Sequence, residues 1–248
     1  MSEVSTDARR ADELKDPQEF RRESVTNAYK AEIESRIKAS GALKTNGHFI
    51  HHEGTLDEFH STVWFAAEDL FLDPGLMTQA IPSLVSTLES QVLNQVDLVA
   101  GIVTGGAVLA REVAQYIQSD RPMKDSRGIS CIHLKHRKDD NGEQEYDLTN
   151  SVRAWLKRWR QEHEGRSPNC LLLDDVISSS RTTLHCIEIL RAVGVPVVGM
   201  LHVASANAKL PRLLEGIPAG VLFNFDGGKT FKTKVCPMCL GRQLKTVV

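Results

Sequence analysis

Two adjacent carboxylates, Asp174 and Asp175, stand between the apolar run Cys170 to Leu173 and a set of small hydroxyl residues, Ser178, Ser179, Ser180 and Thr182. The whole stretch reads CLLLDDVISSSRTT, and the apolar-periodic segment Leu184 to Val193 follows it. Hydroxyls and unpaired backbone N–H groups ahead of a helix suit an anion, because the helix dipole favours negative charge there. A loop of this kind suits a phosphate. Asp174 and Asp175 would repel that phosphate, so they point to a neighbouring neutral polyol or to a metal ion. Phosphate beside hydroxyls indicates a sugar phosphate. The competing local reading is an ordinary strand-to-helix turn whose two Asp residues cap the helix.

A second candidate anion site lies upstream. Asp97 to Ala110 reads DLVAGIVTGGAVLA, an apolar run that meets Thr104, Gly105 and Gly106 and then a helical pattern from Ala107 to Ile117. Two phosphate-type loops at strand ends reinforce each other, since ligands in open α/β sheets bind outside the carboxyl ends of the strands. The cationic cluster Lys135, His136, Arg137 and Lys138 precedes an acidic, Gly-containing loop. Gly47 to His60 carries four histidines without a strong period. Cys236-Pro237-Met238-Cys239 supplies half of a tetrahedral zinc site, so a metal there needs His ligands or the same pair from a second subunit. A redox pair or inert thiols are the other readings.

These residues must be held by strands and helices. Apolar runs predict strands at Ile129 to Leu134, Pro196 to Ala204 and Val221 to Phe225, in addition to the two that end in the loops above. Helical patterns cover Glu19 to Ile37, which Gly41 can end, then Val63 to Leu72 and Ile81 to Val92, with Asp73-Pro74-Gly75 read as a turn between them. Tyr146 to Glu164 also reads as a helix. Its Leu148, Val152, Trp155, Leu156 and Trp159 form a packing stripe, with Arg153, Lys157, Arg158 and Arg160 on a solvated face. Basic residues beside aromatics could bind nucleic acid, but packing of the Trp stripe explains them better, and nucleic acid is not expected as a partner.

With 248 residues the chain makes one large domain or one domain with a small hood. Its formal net charge of −2 gives no general reason to bind nucleic acid or a membrane. No run of about 18 apolar residues exists and the polar N-terminus has no signal-type apolar region, so the expected location is cytoplasmic. Five cysteines, an odd number, fit reduced thiols rather than a disulfide framework. Residues 1–20 are charged and nearly free of large apolar groups, and are expected to form a flexible tail without chemistry.

The stretch from Cys170 to Thr183 resembles the hallmark of the type I phosphoribosyltransferases, closest to orotate phosphoribosyltransferase-like proteins. That hallmark is an apolar strand, two acids, two apolar residues and a Thr/Ser/Gly phosphate loop. The family usually places Gly where Ser180 and Arg181 stand here, because Gly reaches backbone angles that other residues resist. Phe49 to Gly54 is similar to an orotate-type segment whose Lys corresponds to His52, a residue that is cationic only in part at neutral pH. Arg137-Lys138 matches the start of that group's mobile catalytic loop, which often closes over the partner subunit's site. The loop's later Lys and His have no counterpart among Asp139, Asp140 and Asn141. The Arg that meets orotate's carboxylate is also absent near Ala204-Ser205, and burying that charge without a cation is costly. A CPxC tail occurs in some orotate-type relatives.

The resemblance spans roughly residues 41 to 240 and implies a type I phosphoribosyltransferase fold. Its parts are an α/β domain over 21–248 with a central parallel sheet, helices on both faces, a hood mainly at 41–70, and the CxxC segment at 226–248. It implies joining of a nitrogenous base to phosphoribosyl pyrophosphate with release of pyrophosphate, in a homodimer, with Mg²⁺ as cofactor. Asp174 and Asp175 would hold the ribose hydroxyls and Mg²⁺, and Ser178, Ser179, Ser180, Arg181 and Thr182 the 5′-phosphate. Thr104, Gly105, Gly106, Arg137 and Lys138 would receive pyrophosphate, with Phe49 and His52 as base or hood contacts. Cys236 and Cys239 remain candidates for structural Zn²⁺. Two further classes stay open: a non-catalytic nucleotide sensor, and a zinc-linked assembly protein.

Overall fold

The computed structural model describes residues 31–51, 59–121, 128–138, 144–178, 180–206, 214, 216–232, 236–240 and 246–247. In chain order the elements are α1 (residues 31–39), β1 (Leu43–His51), β2 (Phe59–Phe65), α2 (Ala67–Phe71), α3 (Pro74–Val85), α4 (Ser90–Leu93), β3 (Leu98–Ile102) and α5 (Gly105–Asp120). They continue with β4 (Ser130–Lys138), β5 (Gln144–Asp147), α6 (Asn150–Glu162), β6 (Cys170–Ile177), α7 (Arg181–Ala192), β7 (Val197–Ser205), β8 (Ala219–Asn224), β9 (Thr230–Lys232), α8 (Pro237–Leu240) and β10 (Thr246–Val247). No helix among the described residues is long and apolar enough to cross a membrane.

The main sheet has the order β5-β4-β3-β6-β7-β8 and is parallel except at β5, which returns antiparallel to β4. Its strands read as continuous apolar runs because both faces are covered. Alternation along each strand divides the core in two. Val99, Leu171, Leu173, Leu201 and Val203 pack with α1, α3 and α5, and Leu98, Ala100, Leu172 and Met200 pack with α6 and α7. The expected α/β fold with helices on both faces is therefore present, with a mixed rather than wholly parallel sheet.

A second, four-stranded sheet has the order β10-β1-β2-β9. Its central hairpin comes from the N-terminal part of the chain and both edges come from the C-terminal part. Phe65 at the end of β2 stacks on Phe223 and Phe225 of the main sheet's edge, with ring centroids 6.0 and 5.5 Å apart. This aromatic contact ties the small sheet to the large one.

Four local expectations are corrected. Val63 to Phe65 is strand, because the β-branched and aromatic run pairs with β1, and helix begins only at Ala67. Asp73-Pro74-Gly75 starts α3: Asp73 accepts the Leu76 N–H at 3.0 Å as N-cap and Pro74 takes the first helical position. The single helix expected over Ile81 to Val92 is instead the end of α3, which stops at Val85, and a separate α4. Tyr146 and Asp147 belong to β5, and α6 starts at Asn150 behind the N-cap Thr149.

Candidate active site

β6 lies between β3 and β7 in the middle of the main sheet, and Leu171, Leu172 and Leu173 are fully buried. That rigid run delivers Asp174 and Asp175 to the carboxyl end of the sheet. Neighbouring strand residues project to opposite faces. Asp175 lies against Gly105 at the start of α5, whereas Asp174 is in register with His202 of β7 and acts electrostatically on Cys186 of α7.

The two acids are poorly solvated. The N–H of Asp175 donates to Asp174 Oδ1 at 3.0 Å and that of Val176 to Asp175 Oδ1 at 2.7 Å. Those bonds do not offset the burial. Asp174 is 9% exposed, and burial followed by the neighbouring charge of Asp175 pushes its carboxyl well above the usual range. Burial is also the main cause of the upward shift at Asp175, and the carboxylate of Glu68 on α2 adds to it. A desolvated acidic pair is suited to a divalent cation or to hydroxyl donors.

The Thr104-Gly105-Gly106 turn is pressed onto this pair. A Cβ on Gly105 would collide with the Asp175 side chain, with Cγ at 2.6 Å, and one on Gly106 would stand 3.0 Å from the Asp174 Cα. No side chain larger than hydrogen fits. The turn thus presents the N-terminus of the 16-residue α5 beside the acids, with no side-chain cap from Thr104. The Val103–Thr104 peptide is cis.

On the other side stands the N-terminus of α7. Ser180, where the resembling family carries glycine, has φ of +63°, the left-handed conformation that glycine adopts without strain. It is 4% exposed, its Oγ has no hydrogen-bond partner among the described residues, and it does not cap the helix. Ser178 and Arg181 are exposed, Thr182 is half-buried, and Ser179 lies outside the described residues. Tyr146 of β5 hydrogen-bonds with Thr182 and lies within electrostatic reach of both acids, and burial pushes its phenol pKa up. Sequence patterns do not single out Tyr146 or Glu68. The helical periodicity downstream of Tyr146 hides its short strand, and no sequence signal links Glu68 to the acids.

A family model of the phosphoribosyl transferase domain matches residues 72–217, more than half of the chain. The chain belongs to the phosphoribosyl transferase family. Among solved structures it is similar to orotate phosphoribosyltransferase from Aeropyrum pernix, at 19% identity and a TM-score of 0.52, covering 77% of this chain and 93% of that one. It is also similar to Leishmania donovani UMP synthase, at 17% identity and a TM-score of 0.52, covering 80% of this chain and 38% of that one. Adenine phosphoribosyltransferase from Rhodothermus marinus matches at 14% identity and a TM-score of 0.46, covering 79% and 99%. The first two likenesses establish the type I phosphoribosyltransferase fold. No curated protein matches the sequence.

Within the phosphoribosyl transferase domain, β4 outruns its neighbour. Its last pair with β3 is Leu134 with Ile102, and Lys135 to Lys138 extend beyond, pairing with β5 as Arg137↔Glu145 and Lys138↔Gln144. The residues expected to begin a loop therefore continue a strand, carrying the hairpin roughly 13 Å past the sheet edge at about 3.3 Å per residue. The turn at 139–143 lies outside the described residues.

The remaining candidates lie outside the matched domain. Phe49 of β1 is 5% exposed, with its ring folded over Gly47, and His52 lies outside the described residues. Cys236 and Cys239 meet two histidines of the small sheet, His48 and His60, and one ligand atom from each of the four lies within 4.8 Å of all the others. The sequence leaves His ligands and a second subunit's cysteines both open, and does not identify which histidines would serve. Among the described residues, these four are the group that could hold a metal by nitrogen and sulfur.

Proposed function

We propose that this domain transfers a phosphoribosyl group from phosphoribosyl pyrophosphate to a nitrogenous base and releases pyrophosphate, with an orotate-type architecture, an acceptor to be identified, and a homodimeric assembly. The observation that carries this reading is the placement of the poorly solvated Asp174–Asp175 pair between two helix N-termini without side-chain caps, those of α5 and α7. An acceptor for hydroxyls flanked by two anion seats matches a ribose that carries a phosphate at one end and a diphosphate at the other.

In this reading Ser180, Arg181 and Thr182 with the first N–H groups of α7 fix the 5′-phosphate, together with Ser178 and Ser179. The turn Thr104 to Gly106 takes the diphosphate, assisted by Arg137 and Lys138 of the hairpin. Asp174 and Asp175 accept the ribose hydroxyls and sit where positive charge develops on the ring as the bond to pyrophosphate breaks. The nitrogen lone pair forms the new bond to the anomeric carbon, and pyrophosphate leaves with the old bonding pair. Asp174 and Asp175 would also hold Mg²⁺, which would supply charge neutralisation for the departing diphosphate. Ligand and cation together offset the unfavourable desolvation of the acids.

The test is calorimetric titration with phosphoribosyl pyrophosphate and Mg²⁺, followed by a pyrophosphate-release screen across orotate, uracil, purine bases and other nitrogen acceptors. Mg²⁺-dependent binding with release for one base is the expected result. Binding without release for any acceptor would replace transfer with nucleotide sensing, and absence of binding would defeat the site assignment.

A further inference from the structure

The chain between β9 and β10 has a topological task. β9 is one edge of the small sheet and β10 the other, so the chain crosses from one edge to the other between Lys232 and Thr246, and of this crossing segment Cys236 to Leu240 are described. Among the described residues the edges are short. β9 has three residues, pairing with β2 at three positions, and β10 has two, pairing with β1 at Phe49↔Thr246 and Ile50↔Val247. Strands this short hold little by hydrogen bonding alone.

His48 and His60 occupy the middle of this path. His60 is the partner of Ile50, and His48 lies two residues before Ile50, so the histidines are diagonal neighbours on one face of the hairpin. A register shift between Thr45 and Phe49, with Asn46 at φ of +56°, sets the approach of His48. From the crossing segment, Cys236 stands just before α8 and Cys239 within it, with Pro237 at the first helical position. Spacing of i and i+3 across one helical turn brings both thiols to the same side.

We infer that His48, His60, Cys236 and Cys239 bind one zinc ion that fastens the crossing segment to the centre of the small sheet. His48 Nε2 is 3.0 Å from His60 Nδ1, 3.5 Å from Cys236 Sγ and 3.6 Å from Cys239 Sγ, and Cys239 Sγ is 3.2 Å from His60 Nδ1. Tetrahedral zinc, with bonds of about 2.0–2.1 Å to nitrogen and 2.3 Å to sulfur, requires edges of about 3.3 Å for N···N and 3.6 Å for N···S. These four edges lie within about 0.4 Å of that tetrahedron, and all four ligand atoms lie within 4.8 Å of one another. Two imidazole nitrogens and two thiols form a soft donor set that selects zinc over magnesium or calcium. His48, His60 and Cys236 are 3%, 0% and 0% exposed, so the donors are sequestered as in a closed structural site. All four come from one chain, which removes the need for a second subunit's cysteines. The set lies wholly outside residues 72–217, so it stands independently of the transferase reading.

The test uses the full chain purified under reducing conditions with zinc in the growth medium. Metal analysis after gel filtration should give one zinc per chain, and replacement by Co²⁺ should give intense tetrahedral d–d bands with thiolate charge transfer. Cys239→Ser should lose the charge-transfer intensity in part, and His60→Ala should lose retained zinc. The cobalt spectrum of the unmodified chain decides the matter even if the variants fail to fold. Substoichiometric zinc together with a weak octahedral cobalt spectrum would overturn the site, as would a Cys236–Cys239 disulfide found by mass spectrometry in the reduced preparation.

Discussion

The carboxyl edge of the main sheet and the centre of the small sheet both bury polar groups, but in opposite states of completion. At the main sheet, fully buried leucines on β6 hold two acids that repel each other, one buried and one partly so, beside helix N-termini without side-chain caps. The scaffold is complete and the charge is not balanced. At the small sheet, four donors already face one another at ligand-to-ligand distances, while the strands around them are two or three residues long at the edges. There the donors are complementary and the described edges of the scaffold are short. On the two proposals above, the comparison separates two uses of a ligand: at the main sheet it would serve chemistry, and at the small sheet it would complete the fold.

The largest effect expected from this contrast comes from metal removal. Stripping the ion with a chelator under reducing conditions should raise hydrogen exchange in β1, β2 and β9 by several orders of magnitude, given binding energies on the order of 10 kcal/mol for structural zinc. Amides of β3, β6 and β7 should keep their protection. Equal loss in both sheets would erase the distinction.

Asp175→Asn probes the other half. Turnover of phosphoribosyl pyrophosphate should fall by about 10²-fold or more, as when a preorganised electrostatic partner is lost. Stability at neutral pH should rise, read as a higher denaturation midpoint. The sign follows from linkage: the pair's folded pKa lies above its unfolded value, so its ionisation penalises the native state at neutral pH and the penalty fades as pH falls. A denaturation midpoint lower than that of the unmodified chain would contradict the picture of an unbalanced pair.

His202 sharpens the comparison within the main sheet. It is fully buried on β7, and burial pulls its pKa from 6.5 down to about 4. The unfolded chain takes up a proton below pH 6.5 that the native chain refuses, so stability drains away between pH 6.5 and 4. His202→Leu should remove on the order of 3 kcal/mol of that acid-side loss, measured as the difference between the two proteins' pH–stability curves. Parallel curves would mean that His202 finds a proton-sharing partner in the native state.

The smallest effect concerns the α7 loop. Ser180→Gly should stabilise the chain by about 0.5–1 kcal/mol, because the left-handed strain relieved exceeds the added freedom of the unfolded chain. Thermal melting reads this directly. A loss of stability would show that the buried Ser180 hydroxyl contributes more than its backbone costs.

Local sequence determined the two strand–loop–helix units, Leu98 to Asp120 and Cys170 to Ala192, because an apolar run, a turn and a periodic helix are short-range signals. It also marked the acidic pair and the CxxC, for which histidine ligands are one open reading. The tertiary structure alone decided that Gly105 rests on the Asp175 carboxylate, that Glu68 and Tyr146 reach the same site, and which histidines meet the thiols. It also made a strand of Val63 to Phe65, since strand pairing outweighed a helical period. The physical reason is range. Periodicity and capping act over a few residues, whereas His48 and Cys239 are 191 positions apart and become neighbours only when the two edges of the small sheet are paired.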